Sequence, residues 1–144
     1  MATLNPYVNF NGNTEEAFLF YRSVFGGEFM TLMRFKDTPM ASSMPPSAQE
    51  KIMHVSLPIG KGNVLMGTDA LEELGQHLKF GENMSLSLEC ESKEEVDRIY
   101  NGLAVGGTID EQMKLGDTFW GAYFGMVVDK FGIRWMVSYT YPKQ

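Results

Sequence analysis

Two histidines, one cysteine and a scattering of carboxylates are the reactive side chains of this 144-residue sequence, and their spacing limits what they can do. His54 lies in the apolar run Ile52 to Pro58. At strand period it shares a face with Ser56, while Met53, Val55 and Leu57 take the other. Two readings stay open for it. It is a proton-transfer group or hydrogen-bond donor, since imidazole titrates near neutrality, or it is a half-buried histidine satisfied by a neighbour. His77 falls in a polar connecting stretch and is expected to face solvent. Cys90 follows Leu86 and Leu88 at strand period, so it reads as a small core residue and not as a nucleophile. Gly60-Lys61-Gly62 lacks the phosphate-loop pattern and reads as a hairpin turn, and Asp129-Lys130-Phe131-Gly132 reads as another turn. No G-x-G-x-x-G precedes a helix, so nothing in the pattern calls for a nucleotide or adenosylmethionine.

The bulk numbers narrow the setting. A compact domain of this length buries about 70% of its unfolded surface and needs no staple. Hydrophobic content of 44% and charged content of 21% are those of a globular protein. A lone cysteine excludes an intrachain disulfide and fits a reducing compartment. No apolar run approaches the roughly 18 residues of a membrane span. The opening Met1-Ala2-Thr3-Leu4-Asn5-Pro6 is not a secretion-signal pattern, so the expectation is a cytoplasmic protein. A net charge of −6 with no Lys/Arg block argues against nucleic acid, and membrane is likewise not expected as a partner.

The elements that must position these residues repeat. Pro6 to Phe10 reads as a strand closed by Asn11-Gly12-Asn13. Asn13 then reads as the cap of a helix with Ala17, Phe20, Tyr21, Val24 and Phe25 on its apolar face, ended by Gly26-Gly27. Strands are expected at Glu28 to Phe35, Ile52 to Pro58 and Asn63 to Thr68, with a Pro/Ser/Met-rich loop from Lys36 to Glu50. The second half runs in the same order. A strand at Met84 to Cys90 is followed by a capping box, Ser92-Lys93-Glu94-Glu95, and a helix faced by Val96, Ile99, Tyr100 and Leu103. Strands at Thr108 to Met113, Trp120 to Val128 and Arg134 to Tyr139 complete it. Glu15, Glu16, Tyr21 and Gly27 recur 79 positions later as Glu94, Glu95, Tyr100 and Gly106. Beyond the loop the offset is 70, pairing Gly62 with Gly132 and Met66 with Met136. The expected architecture is α+β: one domain of two βαβββ modules, residues 1–68 and 84–144 with a linker at 69–83, forming a curved mixed sheet around a shared cleft.

This plan, with Phe20-Tyr21-Arg22-Ser23-Val24-Phe25-Gly26 closing the first helix, resembles the vicinal oxygen chelate superfamily of glyoxalases, extradiol dioxygenases, and fosfomycin- and bleomycin-resistance proteins. Within it the chain is most similar to the PhnB-like branch, labelled a 3-demethylubiquinone-9 3-methyltransferase-like domain. The similarity rests on Pro6 to Asn13, Ile52-Met53-His54-Val55, Phe119-Trp120-Gly121 and Asp129 to Trp135. Lys130 departs from it, standing where a proline is usual. Metalloenzymes of the superfamily place one His, Gln or Glu ligand on the first and last strand of each module, and the resemblance puts Pro6, Met66, Ser85 and Met136 at those places. None suits a hard or borderline cation, so no metal and no cofactor is expected.

The expected ligand pocket includes His54, Met66, Ser85, Trp120, Arg134 and Met136, with Arg134 its cation. With Met66 and Met136 inward, alternation also turns Val8, Phe10, Val64, Thr68, Ser87, Glu89 and Ser138 inward, and it leaves Asn9 unexplained on the helix side. The function this implies is binding of an unidentified small molecule without a metal, by a protein that forms a homodimer as the superfamily commonly does. Two alternatives stay open. One is a metalloenzyme with displaced ligands such as His54 and Glu89; the other is a dimeric interaction domain with a vestigial cleft.

Overall fold

The computed structural model describes residues 1–143 and falls into two compact units, Met1–Lys79 and a second beginning at Phe80. The first unit comprises β1 (Tyr7–Phe10), α1 (Thr14–Phe25), β2 (Thr31–Arg34), a single-turn helix α2 (Pro46–Gln49), β3 (Ile52–Ile59) and β4 (Asn63–Asp69). Its sheet has the order β1-β4-β3-β2, with β1 parallel to β4 and the other pairs antiparallel. In the second unit, β5 (Leu86–Glu89), α3 (Lys93–Ala104), β6 (Thr108–Ile109), β7 (Gly116–Asp117), β8 (Ala122–Val128) and β9 (Arg134–Thr140) give the order β5-β9-β8-β6. There β5 is parallel to β9, and the extra two-residue β7 also pairs with β8. Both units are βαβββ, as the repeat predicts, each with its own mixed sheet. No helix among the described residues is long and apolar enough to cross a membrane.

Burial of one helix face against one sheet face holds each unit together. In α1 that face is Ala17, Phe18, Tyr21 and Val24; in α3 it is Val96, Ile99, Tyr100 and Leu103. Phe18 takes the buried place that spacing assigns to Phe20, which is only half-buried. The sheets answer with Phe10, Val55, Leu57 and Leu65 in the first unit and Val127, Trp135 and Val137 in the second, all buried. Each such side chain contributes about 1.5–3 kcal/mol of burial. The parallel pairs β1–β4 and β5–β9 exist because the helices carry the chain back across the sheet.

Hydrogen bonds at the helix starts differ between the units. Asn13 makes no side-chain cap. The work passes to Asp69, 4% exposed at the end of β4, whose Oδ1 accepts from the Thr14 amide at 3.0 Å and whose Oδ2 accepts from the Ile52 amide at 2.8 Å. One carboxylate therefore ties α1, β3 and β4 together. In α3 the cap stands as read: Ser92 Oγ accepts from the Glu95 amide at 3.1 Å, and Glu95 Oε1 accepts from the Glu91 amide at 3.0 Å. Asp129 makes the second turn, accepting from the amides of Phe131 and Ile133 and from Trp135 Nε1 at 2.8, 3.1 and 2.8 Å.

Three expectations need correction. First, the registers Tyr7↔Met66 and Asn9↔Thr68 put Tyr7 and Asn9, not Val8 and Phe10, on the face that α1 leaves open. Phe10 is fully buried, and Pro6 takes the parity of Val8 and Phe10. The cause is the turn into the helix. From Phe10 to Thr14 three residues intervene, whereas from Cys90 to Lys93 only two do, so the helix offset cannot be carried back into β1. Second, residues 35–50 are not a bare loop, since they hold 3-10 turns at Phe35–Asp37 and Ala41–Ser43 besides α2. Third, the stretch from 69 does not begin as a linker: Asp69 completes β4, and residues up to 78 fold onto the first unit. Asn11 Nδ2 donates to the Leu78 carbonyl at 3.1 Å, and its Oδ1 accepts from the Leu78 amide at 2.9 Å.

Helix and sheet approach closely at Gly67. A Cβ there would lie 2.6 Å from the Phe18 ring and 3.1 Å from the Val8 carbonyl oxygen. Gly67→Ala is expected to destabilise the protein by about 1–3 kcal/mol, as overpacking does. Urea denaturation checks this, and an unchanged midpoint would mean that the ring moves aside freely.

Candidate functional site

Alternation decides which side chains remain available once α1 has covered its side of the first sheet. Val64, Met66 and Thr68 of β4 take the other, open side. The pairings Ser56↔Met66, Met33↔His54 and Tyr7↔Met66 place Ser56, His54, Met33 and Tyr7 with them. The Tyr7 hydroxyl lies 3.0 Å from His54 Nδ1, and the two rings stand 5.6 Å apart. Burial pushes the Tyr7 phenol above its ordinary value, opposed by a hydrogen bond with Thr68. A phenol that stays protonated can donate to Nδ1, with the imidazole proton then on Nε2, or accept from an Nδ1–H, so the tautomer sets the direction. Sequence reasoning passed over Tyr7, because the assumed parity of β1 turned it away from this face.

This face ends in a cavity of about 720 Å³. Asn9, Met53 and Thr68 line it from the sheet, and Phe35, Met40 and Met44 from the excursion after β2. Leu71, Leu74, Gln76, His77 and Leu78 line it from the stretch after β4. Met53 is available because the β2–β3 ladder steps from Met33↔His54 to Arg34↔Ile52 and leaves it unpaired in a bulge. The walls are held from outside. Gln49 Nε2 donates to the Ala41 carbonyl at 3.1 Å, Gln76 Oε1 accepts from the Leu71 amide at 2.8 Å, and Lys51 pairs with Glu73 at 3.0 Å. Phe35, Ala48 and Leu71 form a small buried cluster beneath, with Met44 and Met53 packed on it. His77 is exposed, as expected, and borders the cavity.

The second unit has an open face of its own. The registers Met126↔Met136, Val128↔Arg134 and Ser87↔Met136 set Met126, Val128, Arg134, Met136 and Ser87 there. Ser85 lies just before β5, half-buried and at the parity of Ser87. Glu89 Oε1 accepts from the Thr140 amide at 3.0 Å and from its hydroxyl. Trp120 occupies the turn before β8, 51% exposed, its ring 5.1 Å from Phe119 and 5.6 Å from Phe124. His54 and Met66 thus share one face, Arg134 and Met136 share another, and Trp120 stands in a turn. Cys90 is buried, and desolvation with nearby Glu95 pushes its thiol up to about 12, which removes it as a nucleophile at neutral pH.

A divalent ion would need imidazole, carboxylate or thiolate donors that converge. The positions opposite Met66 and Met136 are Tyr7 and Ser87. Phenol, hydroxyl and two thioethers do not fit such an ion. Among the described residues no three His, Cys, Asp or Glu side chains are grouped to hold one. A methyl-donor nucleotide fits no better at the strand–helix turns. Asn11 is spent on Leu78, and Ser92 on capping α3.

Two βαβββ units, each with a mixed sheet covered by one helix, define the glyoxalase/bleomycin-resistance/dioxygenase fold. The chain belongs to the PhnB-like 3-demethylubiquinone-9 3-methyltransferase family, whose model matches residues 2–138. Protein YjdN of Escherichia coli K12 is 32% identical over 143 residues, covering 94% of this chain and 93% of that one. Protein PA1353 of Pseudomonas aeruginosa is 38% identical with a TM-score of 0.84, over 97% of this chain and 98% of that one. A Bacillus cereus PhnB protein is 27% identical with a TM-score of 0.76, over 96% and 100%. At 16% identity and a TM-score of 0.61, over 96% and 89%, a glyoxalase-related enzyme from Fulvimarina pelagi shares the fold.

The Tyr7–His54 bond has a direct signature. In Tyr7→Phe, His54 Nδ1 loses its hydrogen-bond partner, so its ¹⁵N resonance should move toward that of an unbonded ring nitrogen while the fold is kept. Identical histidine spectra for the two proteins would refute the bond.

Proposed function

We propose that this protein binds a small, mainly apolar organic molecule, without a metal ion, in the cavity of the first unit. One observation carries the reading: about 720 Å³ of space walled by Phe35, Met40, Met44, Met53, Leu71 and Leu74, with a few polar groups at Asn9, Thr68, Gln76 and His77. Ligand sites of small-molecule size span roughly 300–1,000 Å³ and have this mixture of apolar wall and sparse polar groups. Flexible thioethers let such a wall adapt to its occupant. Tyr7 and His54 stand on the sheet face that runs into the cavity. They supply a hydrogen-bonding pair that an aromatic or acidic ligand can use.

Thermal shift against a panel of small aromatics and organic acids tests it. A ligand at about 100 times its Kd adds about 2.7 kcal/mol and should raise Tm by roughly 5–10 °C for a chain of this size. Met53→Trp puts a bulkier ring in the cavity wall and should reduce that rise. A panel without a single shift, or a shift undiminished in Met53→Trp, would reject the cavity as the site.

We also propose that two copies associate, as the resemblance implies, through the aromatic turn before β8. Phe119 is 98% exposed and stands edge-on to Trp120, an arrangement that costs apolar hydration unless covered. Light scattering should report a dimer that Phe119→Ser weakens. A native monomer at every concentration would dismiss the proposal.

A further inference from the structure

The second unit holds a cation for which no described residue supplies a partner. Of the four arginines, Arg34 pairs with Glu15 at 2.6 Å, Arg98 lies 3.9 Å from Glu95, and Arg22 sits 4.8 Å from the centre of the Phe29 ring. The Arg134 side chain makes no hydrogen bond or ion pair with any described residue, and its Nε is sealed from solvent without an acceptor. A buried N–H left without an acceptor is destabilising, and a guanidinium presents its donors as a planar fork that matches an oxyanion.

The space beside this fork is a pocket of about 210 Å³. Arg134 opens β9 opposite Val128, and the pocket continues past Met126 to Thr108 and Asp110. Asp110 is partly committed: its Oδ1 accepts from the amides of Gln112 and Met113 at 2.9 and 3.2 Å. Its other carboxylate oxygen has no such bond. A ligand here meets a cationic fork, a short apolar wall of Met126 and Val128, and then an acceptor. A bare anion would suffer from Asp110, whereas a molecule with an anionic group and a hydrogen-bond donor satisfies both.

We propose that this pocket is a binding site for a small organic oxyanion that also carries a donor, of the amino-acid or hydroxy-acid class. Arg134 takes the carboxylate and Asp110 the ammonium or hydroxyl. The site does not rest on the first-unit cavity, and Met53→Trp should leave it unaffected.

Four near-isosteric probes test it by calorimetry and by amide chemical shifts in the wild-type protein: lactate, alanine, propionate without a donor, and ethanolamine without an oxyanion. Lactate or alanine should bind saturably and move the amides of Thr108, Met126 and Val128. Propionate and ethanolamine should bind weaker by roughly tenfold or more, the value of one charge-assisted contact. Arg134→Gln should abolish binding, and Arg134→Lys, which keeps the charge but not the fork, should weaken it. A lactate response without an alanine response, or the converse, supports the proposal and fixes the donor. Equal binding of all four probes, or titration that leaves those three amides unmoved, overturns it, and the wild-type shifts decide even if a variant fails to fold.

Discussion

One helix on one side of a mixed sheet is the constraint from which the rest of each unit follows. Side chains on a strand alternate, so the face that the helix buries fixes by exclusion the residues left for binding. Once Phe10, Leu65 and Gly67 are pressed against α1, the intervening positions Asn9, Met66 and Thr68 have nowhere to go but the open side. The same exclusion in the second unit, with Trp135 and Val137 under α3, turns Arg134 and Met136 outward. Function in this fold is therefore written in the residues that packing does not need.

That dependence explains what was legible in the sequence. Helix faces, the hairpin at Gly60-Lys61-Gly62 and the repeat itself rest on local periodicity and turn chemistry, and they emerged close to where spacing put them. The long strands β3, β4 and β9, which hold His54, Met66, Arg134 and Met136, carry enough alternating residues to extend a parity once one position is fixed. The four-residue β1 does not. Its parity comes from pairing with β4, and one extra residue in the turn to α1 reverses the inference drawn from the helix. Asn9, inexplicable on the helix side, is a cavity residue once that reversal is undone.

The cavity was less legible still, since no single segment encodes it. Met53 reaches it through a bulge that only the β2–β3 register reveals. Met40 and Met44 belong to a stretch whose Pro/Ser content reads as loop, although two 3-10 turns and α2 give it a fixed course. The residues from 71 to 78 have no periodicity. They are held by Asn11 from the far side of β1 and by Gln76 folding back on Leu71. A wall held by residues 67 positions apart is a tertiary fact.

The two units have also diverged in how they use the same plan. In each, a buried aspartate collects backbone amides, yet Asp69 fastens α1 to β3 while Asp129 fastens a turn to Trp135. Each is costly to bury and tolerable only because its oxygens are bonded. The first unit uses its long excursion to enclose apolar volume. The second, with the short β6 and β7, leaves a smaller space in which an unspent guanidinium is the dominant feature. Thioethers stand at Met66 and Met136, on the open faces of the two sheets. A thioether offers a hard cation almost nothing, but it offers an organic molecule polarisable contact. Met40, Met44 and Met53 wall the first-unit cavity and Met126 the second-unit pocket, whereas Met66 and Met136 line neither.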